Sequence, residues 1–344
     1  MRLLLILFCS AHCFLYAQDL PEQIRSYHFS CHKAENEIVS SKYDSGLELY
    51  LEAFKIDSVN LFARDIYNAF ACAVLLEKRE IAYELLEKLV YKGFSLTDTS
   101  SKVSKMLKKL KSQDKERFST FSELIYPKIR THYESKINQK YREFVLNLEP
   151  RDQEYRKKPG GYKKYMNEIM HMDSLNCYEF IEWIQKEGFP NENKIGIDKD
   201  FSSPYYIVVH HHAQQFSRNK KRDLFSNILS DALQQGEVLP SDYVAYVDLL
   251  NDKSMPKYGT NYYLIKLGNK KGWYYYNIST ENERQIESNR FKIGLDSIRD
   301  YRSKLFFNSR NNFFYFRQYN NYQHLSLQQA KKFGKSISKY QTSL

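Results

Sequence analysis

AENEIVSSKYDSGLELYLEAFK (residues 34–55) and DIYNAFACAVLLEKREIAYELLEKLVYKG (residues 65–93) decide the fold class. In the first, Ile38, Leu47, Tyr50, Ala53 and Phe54 fall at helical intervals, and Lys42-Tyr43-Asp44 marks a turn between two helices. In the second, Gly46 and Tyr50 recur as Ala82 and Leu86, so helix, polar turn and helix repeat at an offset of 36 residues. Small residues at Gly46 and Ala82 let the two helices of each hairpin approach closely.

Over residues 30–95 this pattern resembles tetratricopeptide repeats, whose usual period is about 34 residues. The resemblance implies that residues 18–100 form a helical stack offering a groove to a protein or peptide partner. Residues 101–148 are helical in pattern and highly charged. Phe118, Phe121, Leu124, Ile125, Ile129 and Tyr133 give them an apolar stripe, which suits a helical connector or a cap on the stack.

Upstream of the repeats, Arg2 precedes an apolar run from Leu3 to Phe8 that continues patchily to Tyr16, ahead of Ala17-Gln18. Residues 1–17 therefore read as a cleaved secretory signal peptide, too short to span a bilayer, and the expected location is periplasmic or extracellular. His12 before Cys13 is too large for a lipid-anchored variant of such a leader. No later apolar run approaches membrane-spanning length. Of the 5 cysteines, Cys31, Cys72 and Cys177 lie beyond the leader, so export does not bring a disulfide framework with it. The charge is +11, from 52 Lys+Arg against 41 Asp+Glu. Its clusters, such as Lys108-Lys109 and Lys220-Lys221-Arg222, are scattered and form no nucleic-acid motif, so they read as solvated faces.

A different region starts where Glu149-Pro150 interrupts the helix pattern and Pro159-Gly160-Gly161 supplies a loop. Asp173-Ser174 is placed to cap a helix through Ile184, stopped by Gly188 and Pro190, and Ser241 to cap one from Asp242 to Asn251. Residues 261–267 and 272–278 read as a β-hairpin around Gly268-Asn269-Lys270-Lys271, and helix resumes from about Glu287 to Leu305. Residues 306–344 form a C-terminal extension with a last helix expected over Ser326–Tyr340. The expected class is mainly α (α+β): N-terminal helical-hairpin repeats, then a mostly helical domain over 149–305 with a small β-hairpin.

That second region carries an ordered series: Asp152-Gln153 with Arg156, Asp173 with Asn176, Gly188-Phe189-Pro190, His211-His212, Ala245-Tyr246 with Asp248, Tyr258-Gly259-Thr260, and Asn289-Arg290 with Gly294-Leu295. In that order these residues resemble an uncharacterised bacterial domain family of unknown function. The resemblance implies a shared fold and site without supplying a reaction. Leu249 follows Asp248 where such domains commonly carry Arg, and Asn261 follows Thr260 where Gln is common.

Asp248 is the only charge in the run Tyr243–Leu250, so its carboxylate is expected to be buried and to need a cation or several donors. Arg290, His211 and His212 are the candidate partners. Those four would form a hydrolase-type site, with histidine as general base, Asp248 orienting it and Arg290 holding an anionic group. Gln153, Arg156, Tyr258, Gly259, Thr260 and Asn289 would bind ligand. Against this stands a structural reading: a buried ion pair, and a turn at Tyr258-Gly259-Thr260 chosen for glycine's backbone freedom. Alternate histidines of His210-His211-His212 on a strand could hold zinc with Asp248, whereas on a helix adjacent imidazoles diverge by about 100°. Neither a resident metal nor a cofactor is expected. Two functions remain open: a binding or interaction protein with a ligand-recognition domain, and a hydrolase.

Overall fold

The computed structural model describes residues 19–56, 61–97, 100–219, 223–250, 257–260, 262–267, 270–276, 279–308, 310–316, 323–325 and 337–339. The leader expected at 1–17 lies outside them. Two helical hairpins come first. Helices α1 (Glu22–Val39) and α2 (Tyr43–Ile56) pack on each other, as do α3 (Ala63–Leu75) and α4 (Arg79–Tyr91), with α2 against α3. Their apolar faces follow the helical period: Tyr27, Cys31, Ala34 and Ile38 on α1, and Ala82, Leu85, Leu86, Leu89 and Val90 on α4.

The offset seen in the sequence extends to the turns. Lys42 N–H donates to Glu37 O in the first hairpin and Lys78 N–H to Ala73 O in the second. Ser41 (φ 61°) and Glu77 (φ 59°) hold the same left-handed place in each. Gly46 explains the close approach in the first hairpin, since a Cβ there would lie 3.0 Å from Ile38 Cγ1 and 3.2 Å from Ala34 O.

Helices α5 (Ser101–Gln113), α6 (Lys115–Thr120) and α7 (Tyr126–Lys136) continue the stack, α5 against α3 and α7 against α4. Of the expected apolar stripe, Phe121, Ile129 and Tyr133 are buried, while Leu124 and Ile125 are 61% and 38% exposed. Residues 121–125 form a π-helical turn, whose wider winding turns these two side chains away from the core.

Helix α8 (Gln139–Arg156) runs through Pro150, so the interruption expected at Glu149-Pro150 is not a helix end. Burial of Tyr141, Val145, Leu148 and Asp152 along one face carries the helix across the missing N–H. After the short α9 (Gly161–Lys164), α10 (Met166–Glu187) starts well before the expected cap. Asp173 is internal to it, and Gly188 ends it as expected. The short α11 (Glu192–Ile195) leads to α12 (Tyr206–Asn219), α13 (Ser226–Gln234) and α14 (Pro240–Leu250). Proline at the first position opens α14, which places Ser241 inside the helix rather than at its cap.

Strands β1 (Tyr262–Leu267) and β2 (Lys270–Tyr276) pair antiparallel, Tyr262 opposite Tyr275 and Leu267 opposite Lys270. Of the turn expected over 268–271, Lys270 and Lys271 instead continue the ladder opposite Leu267 and Lys266, and 268–269 lie outside the described residues. Helix α15 (Thr280–Lys292) is capped by Ser279, and α16 (Ile298–Asn308) follows a break at Gly294 (φ 75°), so the single helix expected to Leu305 is two. The three-residue strands β3 (Gln323–Leu325) and β4 (Ile337–Lys339) flank the pair. Strand at 337–339 replaces the end of the expected last helix, and 326–336 lie outside the described residues.

Two hydrophobic clusters organise the chain. One gathers α1–α7 and the other α8, α10–α14 and α16. Each borrows from the far end of the sequence. Phe314 and Phe316 pack into the first, and Leu20 packs into the second, where its N–H donates to Lys292 O. Among the described residues no helix is long and apolar enough to cross a membrane.

Candidate functional site

The charged residues of the ordered series, with His211, divide between two polar clusters. The first joins α8, α10 and α12. His211 Nδ1 lies 2.6 Å from Asp152 Oδ1, and Gln153 Nε2 donates to Asp152 Oδ2 at 2.7 Å. Arg156 bridges the carboxylates, with Nη1 3.1 Å from Asp152 Oδ1 and Nη2 2.8 Å from both oxygens of Asp173. Gln215 also donates to Asp173 Oδ2. Burial raises the Asp173 carboxyl above its ordinary value although Arg156 works against it.

Asp152, Asp173 and His211 each offer a ligand atom within 4.8 Å of the others, a set that in isolation suits a divalent cation. Arg156 already supplies positive charge between the two carboxylates, so the donor set fits an internal ion pair better than a metal.

Because the three histidines lie on helix α12, their rings diverge, and the strand arrangement needed for the zinc reading is absent. His210 faces Gln214, and burial together with the neighbouring His211 lowers it to about 4. His212 is buried, 3.9 Å from Cys177 Sγ through Nδ1, and its Nε2 accepts from Leu224 N–H at 3.2 Å. With Nε2 accepting, the proton of the neutral ring sits on Nδ1, facing the sulfur. In that tautomer His212 is not a base toward Cys177.

The second cluster joins α14, α15 and the loop between α14 and β1. Asp248 is 0% exposed. Its Oδ1 accepts from Tyr258 N–H at 2.9 Å, and Oδ2 accepts from Thr260 N–H at 2.8 Å and Thr260 Oγ1 at 2.6 Å. Burial raises its pKa, and these donors with Arg290 work in the other direction. Arg290 Nη1 donates to Tyr258 O at 2.8 Å, and its other nitrogens hold Asp296; Asn289 Nδ2 donates to Lys257 O at 3.0 Å. Gly259 (φ 70°) fills the tight place in this loop, since a Cβ would come 3.1 Å from Ile298 Cδ1 and 3.3 Å from Ile286 Cγ2. Asp248, Asn289 and Arg290 therefore staple the Tyr258-Gly259-Thr260 loop from two helices. His211 takes Asp152 as its partner, and Asp248 takes the loop.

A third group went unnoticed in the sequence. Glu35, Asp65 and Asp296 are buried with Arg64, Lys304 and Arg290. Lys304 Nζ lies 2.6 Å from Glu35 Oε2 and 2.9 Å from Asp296 Oδ2, tying α1 to α16 and to the loop before it. Arg64 donates Nε and Nη2 to Asp65 Oδ1 at 2.9 and 2.7 Å. Burial works to raise Glu35, but Lys304, His32 and Arg64 hold it far below the ordinary carboxylate range. The signal was present: Arg64, Asp65 and Asn68 interrupt LFARDIYNAFACAV as Asp248 interrupts its own apolar run.

Helix α3 of the second hairpin also holds the returning tail. Asn68 Nδ2 donates to Tyr315 O at 3.2 Å, and Tyr315 N–H donates to Asn68 Oδ1 at 2.9 Å. This pair of bonds holds the backbone of an extended segment while Phe314 and Phe316 enter the core.

Next to this segment lies a cavity of about 440 Å³. Arg64 from α3, Glu149 from α8, Asp242 from α14 and Tyr315 from the tail reach it, together with Asp200 and Phe201 before α12. Asp200 (φ 55°) and Phe201 (φ 55°) are consecutive non-glycine residues in left-handed backbone, a costly conformation held in place here by Tyr315 Oη donating to Asp200 Oδ1 at 2.6 Å and by Phe201 packing in the core. None of the site residues expected from the sequence lines this cavity.

Compared with protein-family models, curated proteins and solved structures, the chain matches none.

Proposed function

We propose that this is an exported binding protein whose ligand sits in the cavity between the N-terminal hairpins, helices α8, α12 and α14, and the returning tail. One observation carries the reading: an open cavity of about 440 Å³, within the size range of small-molecule sites, lies where α3, α8, α12, α14, α16 and the returning tail meet. The tetratricopeptide-like repeats then act as a wall of the site. Their peptide-binding role is supported by the capture of the chain's own Tyr315 backbone on Asn68, a segment that a partner would have to displace.

The hydrolase reading built on His212, Asp248 and Arg290 gains no comparable support. Those groups serve separate partners, and both oxygens of Asp248 are engaged by the loop. In this reading the charged residues of the ordered series serve as two internal clasps that fix the second region.

The test is a thermal-shift screen of the full chain against amino acids, sugars, nucleotides and organic acids, repeated with Ile207→Trp. Ile207 lines the cavity, and the larger ring would fill it. Stabilisation by a compound that disappears in the Trp variant is expected. Hits that persist unchanged in the variant would place binding elsewhere and refute this site.

A further inference from the structure

We infer that the cavity recognises a small zwitterion, an amine-bearing molecule with its own anionic or acceptor group and an apolar body, the chemistry of an amino acid or short peptide. The inference rests on the cavity being a ligand site, as proposed above.

The charge of the walls points to an ammonium group. Among the described residues Glu149, Asp200 and Asp242 line the cavity against one lining cation, Arg64, with Lys102 behind the wall, its Nζ 4.9 Å over the Tyr315 ring and 3.2 Å from Asn308 Oδ1. This is a local reversal in a chain of net charge +11. The positive charge of Arg64 is offset at once, by Asp65 at 2.7 Å and Glu35 at 3.8 Å. Asp242 is only 7% exposed, and it accepts from Ser203 Oγ at 2.8 Å. A carboxylate so enclosed, with two more at the rim, stabilises an ammonium group far more than an exposed one would. Phe201 and Tyr206 add aromatic rings, whose faces also attract cations, and Phe316 and Ile207 supply apolar surface for the rest of the ligand.

Arg64 supplies the second half of the recognition. It is 4% exposed, and its Nε and Nη2 are engaged by Asp65. Among the described residues no hydrogen bond uses Nη1. Arg64 lines this cavity and a smaller one beside Glu35 and Lys304, and a ligand carboxylate is the strongest match for a guanidinium N–H open to the first. A ligand with an amine alone leaves this donor to water, and one with a carboxylate alone meets three repelling carboxylates.

Three probes with one apolar body separate these contributions: L-phenylalanine, phenethylamine and 3-phenylpropionate, titrated calorimetrically into the full chain. L-Phenylalanine is expected to bind tightest, phenethylamine next, and 3-phenylpropionate at least about tenfold more weakly than L-phenylalanine. The double variant Glu149→Gln/Asp200→Asn should weaken both amines about tenfold and leave 3-phenylpropionate unchanged or tighter. Both positions are exposed, and asparagine tolerates the left-handed backbone at 200 and still accepts from Tyr315 Oη, so the fold is retained. Tighter binding of 3-phenylpropionate than of phenethylamine, equal binding of L-phenylalanine and phenethylamine, or amine affinity indifferent to the double variant would each overturn the inference. So would no heat with any of the three probes. In all these cases the cavity's standing as a binding site is still decided separately, by the screen with Ile207→Trp.

Discussion

Asp248→Asn keeps the shape of the side chain but places an amide donor among three donors, the N–H groups of Tyr258 and Thr260 and the Thr260 hydroxyl. At least one of them must lose its acceptor in a site with no access to water. The expected cost is about 2 kcal/mol, read from urea denaturation, with no change in ligand binding at the cavity. Loss of binding with stability intact would instead restore Asp248 as a functional group. The sequence showed that this carboxylate is buried and needs partners, because one charge in an apolar helix admits few alternatives. It did not show which partners. The donors come from a loop ten residues downstream, and the histidines that looked available turn toward α8 and α10 because a helix rotates each neighbour by about 100°.

At the level of elements, helix identity was legible where the apolar period is strong and helix ends were less so. The two hairpins and their matching turns follow from the repeat at an offset of 36 residues. Pro150 and Gly294 show why ends are harder. Pro150 sits within α8, held by burial on either side, whereas Gly294 divides α15 from α16. The difference lies in what surrounds them. A Cβ at Gly294 would meet His28 Cβ at 3.1 Å and Arg25 O at 3.3 Å, in backbone that favours glycine. Gly294→Ala should therefore destabilise the chain by about 1–2 kcal/mol and loosen α1 against α15. Hydrogen exchange should rise first in α1; a uniform rise across the molecule would show that the break does not locate α1.

For the molecule as a whole, the clasp of Glu35, Lys304 and Asp296 joins the first helix to the last. Opposed by burial but held down by Lys304, the Glu35 and Asp296 carboxyls titrate below their ordinary values. Carboxyls depressed in the fold contribute stability that is fully present above about pH 5 and is lost as pH falls through their folded values. Lys304→Met leaves two buried carboxylates without their shared cation. It should cost about 3–5 kcal/mol near neutral pH and reduce the acid-dependent loss, because the remaining carboxyls are then no longer held so low. A variant with wild-type stability and acid profile would show the clasp to be incidental.

By itself the sequence determined the helical class, the repeated hairpins and the burial of Asp248, all of which depend on spacing along one or two neighbouring elements. Only the tertiary structure decided that the charged residues of the site series form two separate clasps, that residues near 35, 64, 296 and 304 share one buried ionic group, and that a cavity opens between the hairpins and the tail. These depend on distances between elements far apart in the chain, which local periodicity leaves open. The direction in which each side chain points follows from how the helices pack.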